Sequence, residues 1–360
     1  MLDDAPSSAN LLESGDAALI EPPEEPQAAA QSESQAAKKK RRWWIPLCLS
    51  LSLLLVAAGC VTGWGWYTLN SALDKITRDP ALVVDRAGYT PAPETAQGPL
   101  NIVIMGSDAR SEDEDGRSDV LLIAHFNAAR DKLYLISLPR DLYVDIPNFG
   151  MNKINAAYAL GGSPLVIATL QELLGIGTDH TVVIDFEGFI AATEAIGGVT
   201  FNNRIESASK GYTFPKGKIT LEGKALLAYV QQRKGLPDGD LDRTERHRTV
   251  LRAIFLKIAT PQTLTNPEAM MSLANNVGGY LTVDSRLTNG EIIRLASTLH
   301  IDAGEDIVSL QAPVAAFERN EAGAVDIVHE ERMAELATAV QDDTLDEYVN
   351  RYGTGTGLTQ

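Results

Sequence analysis

The chain has 360 residues, 44% of them hydrophobic and 6% aromatic, enough to bury one large core or two modest ones. Its formal charge of -17 excludes a general nucleic-acid or anionic-membrane binder, because phosphate arrays are held by many unopposed Lys and Arg. An anionic ligand has to be met by a local cluster of cations.

Residues 1–37 hold eight acids and no Lys or Arg amid Pro, Ser, Gln and Ala. Such a segment buries too little apolar surface to offset its ordering entropy, which predicts a disordered acidic tail over 1–42, closed by the basic block Lys38, Lys39, Lys40, Arg41 and Arg42. The 27 residues from Trp43 to Leu69 contain no Asp, Glu, Lys, Arg or His, a run long enough to cross a bilayer. All four tryptophans lie in it, Trp43 and Trp44 at its start and Trp64 and Trp66 near its end. A helix from Trp44 to Trp64 rises roughly 30 Å, which sets indoles at both interfaces. The basic block predicts a cytoplasmic N-terminus and an extracytoplasmic main domain, that is, a single-pass protein of the cell membrane. Ala57-Ala58-Gly59-Cys60 is similar to a lipoprotein cleavage site, but the tail before it is longer than a signal n-region and the apolar run continues past it. A buried globular helix is the other alternative. Both cysteines, Cys48 and Cys60, fall in this span, so neither disulfides nor a thiolate metal site are expected in the exported part.

Residues 70–99, with YTPAPETAQGP near the end, read as a short helical neck and a Pro-punctuated linker. The folded domain is expected over 100–345, followed by a loose tail at 346–360. LNIVIMG, DVLLIAHF and KLYLISL read as strands, INAAYALGGSPLVIATLQELLG as a helix, HTVVIDF as a strand, and EGKALLAYV and RTVLRAIFLKIAT as helices. This alternation implies the α/β class, a central mixed β-sheet flanked by helices on both faces. Beyond residue 262 the pattern gives further helices and one strand, DIVSLQ, and no chemistry.

Charged residues concentrate at strand ends. The first strand runs into Gly106-Ser107-Asp108-Ala109-Arg110, the second is entered through Gly116-Arg117-Ser118-Asp119, and the third leaves through Arg140-Asp141. Ligands of open α/β sheets bind where strand ends converge. Each pair alone is a turn feature or a solvated ion pair; three together make a candidate site. A fourth cluster is YVQQRKGLPDGDLDRTERHRTVL. There Asp242 and Glu245 read as the N-cap and capping-box partner of a helix starting at Arg243. At about 100° per residue, Arg243 and His247 share the azimuth of Val250 and Ile254 and face the domain, with Arg252 on the opposite side. A cation facing inward in a helix's first turn is electrostatically misplaced unless an anion also uses the N–H groups there, and Arg233 and Arg246 can reach the same anion. The competing reading is a surface ion-pair network with Asp238, Asp240 and Asp242. Carboxylates beside arginines suit phosphoryl transfer. Guanidinium forks neutralise developing charge, and one or two carboxylates, here Asp108 and Asp119, hold Mg²⁺ (or Mn²⁺). The five histidines offer neither a nucleophile motif nor zinc spacing.

The series NIVIMGSDAR, GRSDVLLIAHF, LYLISLPRDLYVDIP, KINAAYALGG, DFEGF, ALLAYVQQR and DLDRTERHR resembles, in order, the signature of the LytR-CpsA-Psr family of envelope proteins. The resemblance implies an enzyme that takes a glycopolymer from a polyprenyl-pyrophosphate carrier and joins it through a phosphodiester to an envelope acceptor, peptidoglycan, with the lipid chain in an apolar groove. By the same resemblance Asp108 and Asp119 match metal-binding acids, and Arg117 and Arg140 match arginines at the pyrophosphate; these four form the expected catalytic set. Arg233, Arg243 and Arg246 match further pyrophosphate contacts, and Arg110 and Asp141 are secondary candidates. Where the family usually has arginine this chain has Gln231, and where it usually has two glutamines this chain has His247 and Arg248. These departures imply weaker binding or altered acceptor geometry, with Gln231 and His247 kept among the contacts. The alternative function is a non-catalytic envelope-anchored or attenuator protein that binds polyprenyl-linked or anionic polymers.

Overall fold

A strand buried on both faces reads as a continuous apolar run, and β2 (Leu100–Ser107) is one: Val103 and Met105 join one hydrophobic layer while Ile102 and Ile104 pack into the other. The structure, a computed structural model, describes residues 65, 67–86, 98–107, 118–237, 240–258, 267–301 and 304–354, all within one unit, Val61–Gln360. The expected membrane span lies outside these residues except for its last few, and no helix among the described residues is long and apolar enough to cross a membrane. The expected acidic tail also lies outside them.

Seven strands form the main sheet in the order β1-β12-β7-β2-β3-β4-β13. They are β1 (Thr77–Asp79), β2, β3 (Ser118–Phe126), β4 (Leu133–Leu138), β7 (His180–Asp185), β12 (Leu281–Asp284) and β13 (Ile307–Gln311). β2 runs antiparallel to β3 and parallel to β7; β4 is antiparallel to β3 and parallel to β13. The sheet is therefore mixed, as expected. One face carries α2 (Ala156–Leu174), α8 (Glu330–Gln341) and α9 (Leu345–Tyr352). The other carries α1 (67–73), α6 (Pro267–Val277), α7 (Asn289–Thr298) and the later part of α5 (Asp240–Ile258). A third core, built on Val199, Phe214, Leu226 and Tyr229, joins α3 (Phe186–Ala195), α4 (Gly223–Gln231) and a second side of α5, through Val250, Ala253 and Ile254, to two short hairpins. These hairpins are β8 (Val199–Asn203) with β11 (Gly217–Leu221), and β9 (Ser207–Ser209) with β10 (Tyr212–Phe214). A separate four-stranded sheet, β14-β15-β5-β6, combines β5 (Leu142–Ile146), β6 (Gly150–Lys153), β14 (Val314–Asn320) and β15 (Gly323–Val328).

Four expectations need correction. The neck is part of the domain, because β1 pairs in parallel with β12 and Ala72, Leu73 and Ile76 are buried in the core. The tail is not loose over its first half: α9 places Leu345 and Tyr348 on one face, three residues apart, and buries both. The helix expected to start at Arg243 begins at Asp240, so Asp242 is a first-turn residue rather than the cap. The GGSP stretch interrupts the long helix: Gly161 and Gly162 leave helical geometry, Gly162 at a φ of 65° that favours glycine, before the chain resumes at Pro164.

Away from the strand ends with arginines, the start of β7 carries a buried ion cluster. The His180 Nδ1 lies 3.2 Å from Asp284 Oδ2, and the amides of Thr181 and Arg286 each donate to that carboxylate at 2.9 Å. Burial pushes the Asp284 carboxyl up, but the hydrogen bonds from His180 and these amides outweigh it and hold the group below the usual range. Glu291, paired with Arg294 at 2.8 Å, flanks the other side of the imidazole.

Candidate functional site

A cavity of about 420 Å³ opens where the main sheet meets the third core. Its walls come from alternate residues of the strand ends, Ile104 and Gly106 of β2, Val120 of β3 and Ile184 of β7, and from Phe186, Phe189, Leu227 and Val250 on the helices. Gly106 keeps the two central strands close: a Cβ there would sit 3.0 Å from the Val120 Cβ. The lining combines mostly apolar walls with a few polar and charged groups, the usual composition of a ligand pocket.

Arg140 reaches this cavity from the turn between β4 and β5. The turn is closed by Leu142 N–H donating to the Pro139 carbonyl at 3.1 Å. The Asp141 carboxylate lies 3.6 Å from Arg140 Nε and 3.1 Å from Lys153 Nζ, so it orients the guanidinium while a second cation shares its charge. Arg243, buried on the first turn of α5, lines the same cavity together with His247 one turn on, as the helical spacing predicts. The His247 Nε2–H donates to the Val230 carbonyl at 2.8 Å, which fixes the proton on that nitrogen and ties α5 to the end of α4. Gln231 and the exposed Arg233, at and just beyond the end of α4, also line the cavity.

Arg246 is placed elsewhere. It is buried, donates to Gln232 Oε1 at 2.9 Å and to Ser207 Oγ at 2.8 Å, and stacks 4.1 Å from the centroid of the Tyr229 ring. Burial lowers its pKa. It lines a separate small cavity with Asp242 and Glu245, so the same α5 points one arginine into the large cavity and uses another as a pin. Arg248 is also a tie, donating to Gln311 Oε1 at 2.7 Å on β13. Arg252, expected on the outer side, donates to the Ile307 carbonyl at 3.0 Å and holds the start of β13.

Asp108, Arg110 and Arg117, and the side chain of Asp119, lie outside the described residues. The backbone of Asp119 is in β3 beside Val120, and Ser107 pairs with Ser118, so the chain enters and leaves that segment at the cavity end of the sheet. Among the described residues no group of three or more His, Cys, Asp or Glu could hold a metal ion.

Sequence reasoning missed Asp185 and Lys210. Asp185 ends β7, in register with Ser107, and its Oδ1 accepts the Gly188 amide at 2.6 Å to cap α3. The strand-end argument applies to HTVVIDF as much as to the other three strands, so a signal for it was present. Lys210 comes from the tip of the β9–β10 hairpin, and no spacing links it to the other residues.

The mixed sheet thus carries at its strand ends a largely apolar cavity that Arg140, Arg233 and Arg243 also line. The LytR_cpsA_psr family pattern matches residues 69–342, and the chain belongs to that family. The match starts in the neck, in agreement with β1 being part of the domain. Over 234 residues the chain is 32% identical to the polyisoprenyl-teichoic acid--peptidoglycan teichoic acid transferase TagU of Bacillus mycoides, covering 64% of this chain and 77% of that protein. It is 37% identical to the protein of the same name from Oceanobacillus iheyensis, over 52% of this chain and 61% of that one. The crystal structure of B. subtilis TagV superposes with a TM-score of 0.59 at 22% identity, over 69% of this chain and 98% of that one, which shows a shared fold.

Proposed function

We propose that this protein is a membrane-anchored transferase that moves a glycopolymer from a polyprenyl-pyrophosphate carrier to peptidoglycan or another envelope acceptor. The observation that carries the reading is the cavity: largely apolar walls that would take a hydrocarbon chain, with Arg140, Arg233 and Arg243 among the lining residues to meet a diphosphate. The names of the relatives support the polymer and the acceptor. The apolar run 43–69 after a basic block supports anchoring with the domain outside the cell.

In this reading the acceptor hydroxyl oxygen bonds to the sugar-linked phosphorus as the bridging P–O bond breaks. The hydroxyl proton passes to a carboxylate at the strand ends, and polyprenyl phosphate leaves with its charge met by the guanidinium groups. Asp108 and Asp119 are the residues assigned to a divalent cation, two hard oxygen donors flanking the segment that joins β2 to β3 at the cavity end. When bound, that cation would neutralise phosphate oxygens.

The test is transfer of a short glycan from a synthetic prenyl-pyrophosphate donor to peptidoglycan fragments by the full chain in detergent with Mg²⁺. Turnover that is lost in Arg140→Ala is expected. Tight donor binding without turnover would instead support the binding-protein reading.

A further inference from the structure

The hairpin β9–β10 breaks a local rule at one residue. Its loop has two residues, Lys210 and Gly211, with Ser209 paired to Tyr212, and both loop residues have positive φ, 48° and 84°. That is the pattern of a type I′ turn, whose first position favours Asn, Asp or Gly because other side chains crowd the backbone there. The other described non-glycine residues with positive φ have local reasons. Asn148 and Asp343 are types that tolerate the conformation, and Arg130 donates back to the Phe126 and Asn127 carbonyls. Lys210 makes no such return contact to its own turn. Its ammonium extends across to α4 and donates to Gln231 Oε1 at 2.6 Å, and both residues line the large cavity.

From this placement we infer that Lys210 is a specificity-determining residue that contacts the phosphate groups of the amphiphile, with Gln231 holding the ammonium in position. The inference rests on the transferase reading for the ligand class but not for the geometry. A backbone position that a different residue would suit better persists when the side chain serves the site rather than the turn. Gln231 accepts from Lys210 with its amide oxygen, a bond that uses one ammonium hydrogen and none of the amide N–H groups. The hairpin therefore adds a fourth permanent cation to Arg140, Arg233 and Arg243.

Stability and binding should move in opposite directions in Lys210→Asn. Full chain in detergent is titrated with geranylgeranyl pyrophosphate, and with geranylgeraniol as the uncharged control. Asn suits the turn, so the unfolding temperature should stay level or rise, while Kd for the diphosphate should weaken about tenfold and Kd for the alcohol should not change. Lys210→Arg, which keeps the charge, should bind the diphosphate within about threefold of the parent. A Lys210→Asn protein that binds the diphosphate within about twofold of the parent would overturn the inference, as would equal weakening toward diphosphate and alcohol. Arg140→Ala serves as the reference. If it loses the diphosphate and Lys210→Asn does not, only the role of Lys210 fails; if the parent itself does not bind, the transferase reading fails with it.

Discussion

The two ends of β7 treat charge differently. At its start, His180 is enclosed by Asp284 and Glu291, and each carboxylate has further donors within 3 Å. At its finish, Asp185 is the single carboxylate among the described residues lining the cavity, against Arg140, Lys210, Arg233 and Arg243. The first cluster is balanced within itself and holds β7 to β12 and α7. The second places four cationic side chains and one carboxylate along a largely apolar cavity, with Asp141 beside Arg140 just outside that lining. Burial alone does not separate the two ends, since Arg243 and Asp284 are both buried; what differs is that Arg243 lines an open cavity while Asp284 is enclosed by its own donors.

The sharpest way to break this contrast is to remove a cation from the cavity end. Arg243→Ala should reduce glycopolymer transfer about 10³-fold, by analogy with losing one preorganised charge-stabilising group, and leave the unfolding temperature nearly unchanged. A large loss of stability there would mean that Arg243 belongs with the structural ions. At the balanced end, Asp284→Ala should cost about 3 kcal/mol of folding stability by leaving His180 and buried amides without their acceptor, as read by denaturant unfolding. The same carboxylate sets an acid limit. Its folded pKa lies below the unfolded value, so its contribution is complete above about pH 4 and disappears as pH falls through the folded value. In Asp284→Ala the acid limb of the stability curve should flatten. Arg246→Ala tests the intermediate case on α5: a loss of about 2 kcal/mol with transfer affected only through instability is expected, because its partners are Gln232, Ser207 and Tyr229. The smallest effect is steric. A Cβ at Gly188 would meet the Tyr280 Cβ at 2.6 Å, so Gly188→Ala should cost about 1 kcal/mol and shift α3 with Phe186 and Phe189 at the cavity wall, raising Kd for the lipid donor before it lowers turnover.

The sequence was informative where one local rule decides the outcome. Buried strands of the main sheet are unbroken apolar runs, and β2, β3, β4 and β7 fall where those runs lie. Arg243 and His247 face the cavity because helical spacing allows no other side for them. Arg246 lies apart from the large cavity because three residues of helical advance turn a side chain by about 60°, enough here to put it against Tyr229 and Gln232. Short edge strands were illegible: β1 is three residues, TRD, whose pairing with β12 spans two hundred residues of sequence. Lys210 was hidden for the same reason, since its position depends on how a hairpin packs and not on any period.

The placement of β1 decides where the protein can be cut. A fragment trimmed to residue 85 or 100, which the apolar pattern alone recommends, loses α1, β1 and Leu82 and uncovers both the flank of Ala274 and Val283 and the outer row of peptide groups on β12. Such a raw sheet border invites strand exchange between copies, so truncated material should come off a sizing column as multimers, whereas a start ahead of Leu69 keeps the border capped by the chain's own leading segment.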